Sequence, residues 1–82
     1  MKGFHYVYIL KSFGEPDRFY VGLTDDLASR LERHNAGGVT HTAKHRPWQI
    51  KTAIAFRDAG QAAMFERYLK SPSGRAFAKK RL

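Results

Sequence analysis

The chain contains no cysteine, which excludes disulfide bonds and thiolate metal ligands. It also lacks an apolar run near the roughly 20 residues that a membrane-spanning helix needs, and no small-residue cleavage site follows the apolar segment 6–10. We therefore expect a protein of the reducing cytoplasm that is neither secreted nor embedded in a membrane. A length of 82 residues predicts one domain over residues 1–82 with one modest core.

Acidic residues are also scarce. Seven Asp and Glu stand against fifteen Lys and Arg, which gives a formal net charge of +8. The excess belongs to residues 27–82, where only Glu32, Asp58 and Glu66 are acidic. A phosphate backbone is the natural counter-surface for such a field, and an anionic membrane surface is its main competitor.

Hydrophobic patterning and turn residues predict six elements in the order β-β-α-β-α-α. Aromatic and β-branched residues favour strands at 4–11, 18–24 and 49–56. Capping residues and apolar spacing predict helices at about 26–36 and 59–70, and a short terminal helix beginning at Ser71 and Pro72 with Phe77 directed inward. Residues 39–48 show no clean period and are predicted to form a functional loop. The fold class is α+β, a small three-stranded, mainly antiparallel sheet flanked by helices.

Two groups of side chains stand out within this pattern. Alternation along a strand places Tyr6 and Tyr8 on one face, and Tyr20 on the paired strand lies beside them if the register allows. Arg30 and His34 are four residues apart on the first helix and share one of its faces. Taken singly, each tyrosine is also consistent with an ordinary core or rim aromatic, and the helix pair with a solvated face.

Glu66 borders the apolar stripe of the second helix and has two interpretations. One is an ion pair with Lys70 at the (i, i+4) spacing, which contributes only a few tenths of a kcal/mol. The other is a Mg²⁺ ligand, because one carboxylate with waters and phosphate oxygens commonly holds that ion.

A zinc site built from His34, His41 and His45 is a weaker alternative. No cysteine accompanies these histidines, and Lys44 and Arg46 beside them would repel a bound dication. Contact with phosphate suits this loop better. The chain contains no Gly-rich phosphate loop, no Ser-His-Asp arrangement and no paired carboxylates for glycoside chemistry.

Four segments follow one another in a recognisable order: Tyr6-Val7-Tyr8, Tyr20-Val21-Gly22, the helix with Arg30 and His34, and the segment around Glu66. Together they resemble the GIY-YIG nuclease superfamily, in particular its small single-domain bacterial members, which are similar to the N-terminal nuclease domain of a bacterial excinuclease. The likeness covers essentially the whole chain. It implies a three-stranded antiparallel sheet flanked by helices, in agreement with the order derived from the residues.

The resemblance also implies roles for the marked residues. Tyr8 or Tyr20 would serve as the general base for an attacking water, or orient it, and Arg30 would stabilise charge on the scissile phosphate. His34 would assist in positioning or proton transfer, and Glu66 would hold one divalent ion, Mg²⁺ with Mn²⁺ as a substitute. Contacts to the DNA backbone would come from His41, Lys44, Arg46, Lys70, Arg75, Lys79, Lys80 and Arg81.

The leading hypothesis is therefore a metal-dependent DNA endonuclease that cuts one strand, is directed by DNA structure and acts in repair or recombination. The alternatives are a nucleic-acid-binding module with little or no catalytic activity and an accessory subunit that becomes active in a complex. DNA is the expected partner, with RNA as the other compatible nucleic acid and a protein partner as a source of specificity. We expect a monomer, since no long apolar stripe is left over.

Overall fold

The computed structural model describes residues 3–82. Its strands are β1 (His5–Ser12), β2 (Phe19–Thr24) and β3 (Trp48–Phe56), and its helices are α1 (Leu27–Asn35), α2 (Ala59–Leu69) and α3 (Pro72–Arg81). The predicted order β-β-α-β-α-α and the α+β class are confirmed. One addition is a short 3₁₀ helix, Ala43–His45, within the segment predicted to be a loop.

The sheet places β1 in the centre, in the order β2-β1-β3, with antiparallel pairing on both sides. Tyr8 is therefore paired with Gly22 on one side and Ala53 on the other. Consecutive burial from Val7 to Leu10 follows from this position, because helices cover both faces of the central strand.

Each face of the sheet has its own apolar cluster. On one face, Tyr8, Leu10 and Trp48 are buried, with Leu27 and Leu31 of α1 packed against them. On the other face, Val7 and Ile9 pack with Ala62 and Leu69 of α2, and with partly buried residues that include Ala78 of α3. The first face is the one that carries the predicted tyrosines.

Side-chain caps explain why the helices begin where they do. Asp26, Asp58 and Ser71 accept hydrogen bonds from the backbone N–H groups of Ser29, Gly60 and Gly74, respectively. After α1, Gly37 adopts a left-handed φ of 83°, which a glycine tolerates without steric cost. The predicted boundaries of α1 and α2 therefore differ from the observed ones by one residue at most.

The prediction that Phe77 is directed inward is wrong. Its side chain is 38% exposed and lies against Tyr68, with ring centroids 6.0 Å apart. Gly74 is the buried residue of α3, because this helix begins directly against the end of α2. Ala78, rather than Phe77, contacts the core.

Hydrogen bonds hold segment 39–47 against strands β1 and β3. The side chain of Asn35 accepts from the backbone N–H of Trp48 (2.6 Å) and donates to its carbonyl (3.0 Å). The indole N–H of Trp48 donates to the carbonyl of Thr42 (2.8 Å), and Ser12 donates to the carbonyl of His45 (2.8 Å). These bonds fix the segment against the face of the sheet that carries Tyr8.

Within residues 3–82, no helix is both long enough and apolar enough to span a bilayer.

Candidate active site

Three rings from three elements meet on the α1 side of the sheet. The ring centroid of Tyr8 on β1 lies 6.4 Å from that of Tyr20 on β2 and 5.9 Å from that of His34 on α1. Tyr20 and His34 are closer still, at 5.0 Å. The antiparallel register puts the two tyrosines on the same face, and the helix brings the imidazole over both.

A chain of hydrogen bonds runs inward from Tyr8. Its phenol lies 2.9 Å from Nε2 of His34, and Nδ1 of His34 lies 2.7 Å from the hydroxyl of Thr42. That hydroxyl directs its own proton to the carbonyl of Val39 (3.3 Å) and therefore accepts from Nδ1. The imidazole proton is thus on Nδ1, which leaves Nε2 to accept from Tyr8.

Gly22 provides the space that the Tyr8 phenol occupies. A Cβ atom at this position would lie 2.3 Å from the phenol oxygen of Tyr8 and 2.4 Å from the adjacent ring carbon. No side chain fits at that distance, so the phenol can lie across the neighbouring strand only because residue 22 is a glycine. The glycine of the Tyr20-Val21-Gly22 segment therefore serves the position of the other tyrosine.

The surroundings of Tyr8 keep its phenol protonated. Burial, followed by the nearby phenol of Tyr20, raises the pKa of Tyr8 from 10.0 to about 12. The charge and hydrogen bonding of Arg30 lower it, and the carboxylate of Glu66 adds a smaller increase. At neutral pH Tyr8 is a hydrogen-bond donor, as its contact with Nε2 requires. Both Arg30 and Glu66 therefore influence the pKa of this phenol.

Burial also disfavours the charged form of His34, which is therefore neutral. It is 1% exposed, and burial, followed by the positive charges of Arg30 and Arg33, lowers its pKa from 6.5. A cationic imidazole would be poorly solvated here and would face two guanidinium groups. The neutral form is also the one that can accept from Tyr8 and donate to Thr42.

We expect this lowered pKa to make stability fall as the pH is lowered. In the unfolded chain histidine takes up a proton near pH 6.5, whereas folded His34 resists protonation, so the free energy of unfolding decreases from pH 6.5 down to the lowered pKa. Thermal melts of wild type and His34→Gln between pH 8 and pH 5 would measure this. The advantage of wild type should shrink with falling pH; a difference that stays constant would contradict the assignment.

Glu66, the predicted metal ligand, presents a partly exposed carboxylate. Its side chain is 23% exposed, and within residues 3–82 its carboxylate is hydrogen-bonded by Lys70 alone, at 3.1 Å. No group of three or more His, Cys, Asp or Glu in that part of the chain is arranged to hold a metal. An accessible hard oxygen donor of this kind fits Mg²⁺, which keeps most of its waters and binds substrate phosphate. Lys70 would have to release the carboxylate for the ion to bind.

Comparisons with known proteins bear on this arrangement. Residues 4–81 match the profile of the GIY-YIG catalytic domain, nearly the whole chain. The chain belongs to the GIY-YIG family. A UPF0213 protein from Bacillus halodurans with a solution NMR structure has 30% identity and a TM-score of 0.56, with 93% of this chain and 80% of that one covered.

Two curated relatives extend the comparison. YazA of Bacillus subtilis, a UPF0213 protein, is 33% identical over 80% of this chain and 66% of its own length. The structure-specific endonuclease subunit slx1 of Talaromyces marneffei is 39% identical over 77% of this chain but only 18% of its own length. The GIY-YIG chain therefore spans about a fifth of the slx1 protein that it matches.

The cations predicted to contact DNA are found in two places in this GIY-YIG chain. His41, Lys44 and Arg46 lie on the segment after α1, where all three are exposed. The others lie at the end of α2 and along α3, and they are Lys70, Arg75, Lys79, Lys80 and Arg81. Of this second group, Lys70, Arg75 and Lys79 line a groove together with Tyr20, whereas Lys80 and Arg81 do not.

Two of the three histidines weighed as a zinc site, His34 and His45, are engaged with other partners. Both ring nitrogens of His34 are hydrogen-bonded inside the site, and His45 pairs with Glu15 of the β1–β2 turn. Sequence reasoning missed Thr42, which is fully buried and fixes the tautomer of His34. A threonine in a loop without periodicity carries no signal of its own, so only the folded geometry identifies it.

Proposed function

We propose that this GIY-YIG chain is a metal-dependent DNA endonuclease that hydrolyses one phosphodiester bond in one strand. The observation that carries the proposal is the meeting of Tyr8, Tyr20 and His34 on one face, with Arg30 and Glu66 both acting on the Tyr8 phenol. In-line phosphodiester hydrolysis uses a base, a positive charge on the phosphate and a bound metal ion, and these residue types can supply them.

The two tyrosines differ in burial, and we assign them different roles on that basis. Tyr8 is 2% exposed and its proton is directed to His34, whereas Tyr20 is only partly buried. We therefore assign to Tyr20 the contact with the attacking water, as the base or as the group that orients it. Tyr8, His34 and Thr42 form the fixed support behind it and position the ring of Tyr20.

Arg30 and Glu66 supply the charges. Arg30 would bind the non-bridging oxygens of the scissile phosphate and stabilise the negative charge that builds on them. Glu66 would hold the divalent ion, Mg²⁺ with Mn²⁺ as a substitute. When bound, such an ion polarises the phosphate and stabilises the leaving oxygen.

The biological setting follows from the relatives by analogy. The slx1 relative is named as a subunit of a structure-specific endonuclease, so we propose structured DNA as the substrate and a protein partner as a source of specificity. Repair or recombination is the corresponding process, in the reducing cytoplasm expected for a chain without cysteine.

Replacing Glu66 by Ala tests the proposal directly. A panel of labelled duplex, flap, junction and single-stranded DNA would be incubated with Mg²⁺, Mn²⁺ or chelator. We expect cutting that requires the ion and falls about a hundredfold in Glu66→Ala, because the carboxylate that holds the ion is gone. Glu32→Ala is the matched control, since Glu32 is an exposed carboxylate on α1.

Two outcomes would count against the proposal. If Glu66→Ala and Glu32→Ala cut equally well, Glu66 has no role in the reaction. Salt-dependent binding by both variants and by wild type, with no cutting of any substrate, would indicate a nucleic-acid-binding module or a subunit that requires its partner.

A further inference from the structure

A groove of about 780 Å³ lies between β2 and α3, on the face of the sheet that α2 and α3 cover. Its apolar floor contains Ile9, Val21, Leu69 and Ala78. Two residues connect it with the site already described. Tyr20 lines it while packing on His34, and Lys70 lines it while pairing with Glu66. Through Tyr20 and Lys70 the groove therefore borders the candidate site.

Charge and shape limit what can bind there. Within residues 3–82, the groove is lined by one carboxylate, Asp17, and by five cations, which are Arg18, Lys51, Lys70, Arg75 and Lys79. Phe19 also lines the groove. Its side chain is large and apolar, yet it is 48% exposed. Of the nucleic acids, an extended strand suits such a surface best, because it can present phosphates to the cations and an unpaired base to Phe19 together.

We propose that this basic groove binds a single-stranded arm of the DNA substrate, with a base stacked on Phe19 and phosphates on the cations. Aromatic faces set among Lys and Arg are the usual means of holding single strands without sequence preference, because every base has a stacking face. The proposal rests on the proposed function and deepens it. It names the substrate as DNA with an unpaired strand next to the cut.

The stacking contact is tested by replacing Phe19 with Ala, with Phe13→Ala as the matched control. Phe13 is 59% exposed and does not line the groove. Binding of a fluorescent oligothymidylate would be measured by anisotropy in chelator, so that no cutting occurs. We expect Phe19→Ala to weaken binding about tenfold with an unchanged salt slope, and Phe13→Ala to bind like wild type.

The phosphate contacts are tested with Arg75→Gln against Arg67→Gln. Both residues are exposed arginines on helices, but only Arg75 lines the groove. Loss of one phosphate contact on a single strand lowers the slope of log affinity against log salt by about 0.7. We expect that change in Arg75→Gln alone, and melting temperatures would confirm that all four variants are folded.

Several results would contradict the proposal that the groove binds a single strand. These are equal effects of Phe19→Ala and Phe13→Ala, a blunt duplex bound as tightly as the oligothymidylate, or Phe19-dependent binding of an acidic amphipathic peptide in place of DNA. The two proposals fail separately. Cutting that depends on Glu66 but is unaffected by Phe19→Ala would contradict only the proposed role of the groove. Strand binding that depends on Phe19 without any cutting would contradict only the proposed nuclease activity.

Discussion

Replacing Tyr20 by Phe should lower metal-dependent cutting by about a thousandfold while leaving the fold intact. The substitution removes only a phenol oxygen, and the ring keeps its contacts with Tyr8 and His34. If that oxygen accepts or orients the proton of the attacking water, its loss removes general base catalysis, which commonly contributes 10²–10⁴-fold. Single-turnover cutting rates at saturating protein, together with thermal melts, would measure both effects.

Tyr8→Phe is the matched variant and should behave differently. Its phenol donates to the buried Nε2 of His34, so the substitution leaves a buried acceptor without a partner and lowers stability by about 1–3 kcal/mol. Cutting should fall less than in Tyr20→Phe, because the effect reaches the substrate only through the support of Tyr20. A reversed order, with Tyr8→Phe the more damaged in cutting at equal stability, would make Tyr8 the base.

The difference between the two tyrosines shows what sequence can and cannot predict. Alternation along a strand predicted that Tyr6 and Tyr8 share one face, with Tyr20 beside them if the register allowed, and the observed register does put Tyr20 on the face of Tyr8. Their unequal burial depends on where α1 and segment 39–47 come to rest. That position is fixed by distant contacts, such as the two hydrogen bonds between Asn35 and Trp48, which leave no pattern in the sequence.

The same reasoning explains the other successes and failures. Helix starts at Asp26, Asp58 and Ser71 were predictable because capping is local. Taken alone, His34 was predicted to lie on a solvated helix face, yet it is buried, because Tyr8 and Thr42 satisfy both of its ring nitrogens. Phe77 was misplaced because α3 meets α2 at Gly74, and Ala78, one turn further along the same side of the helix, is the residue that contacts the core.

The contact at Gly74 leads to the largest expected effect on stability. A Cβ atom at this position would lie 1.8 Å from the carbonyl oxygen of Tyr68 and 2.7 Å from the Cα of Leu69. Both neighbours are backbone atoms at the end of α2, so they cannot move aside as a side chain could. Gly74→Ala therefore has to push α3 away from α2, at a cost of about 3 kcal/mol, or roughly 15 °C in melting temperature.

Gly60→Ala provides the control that separates this clash from an ordinary helix effect. Gly60 also lies in a helix, but a Cβ there would meet only the side chain of Asp58, at 3.5 Å. Alanine should therefore leave stability unchanged or raise it by up to about 1 kcal/mol. Because α3 carries Arg75 and Lys79 along one wall of the basic groove, Gly74→Ala should also weaken oligothymidylate binding, and Gly60→Ala should not. Equal melting temperatures for the two variants would show that α3 can shift without cost, and the packing of α3 on α2 would then not be what holds that wall in place.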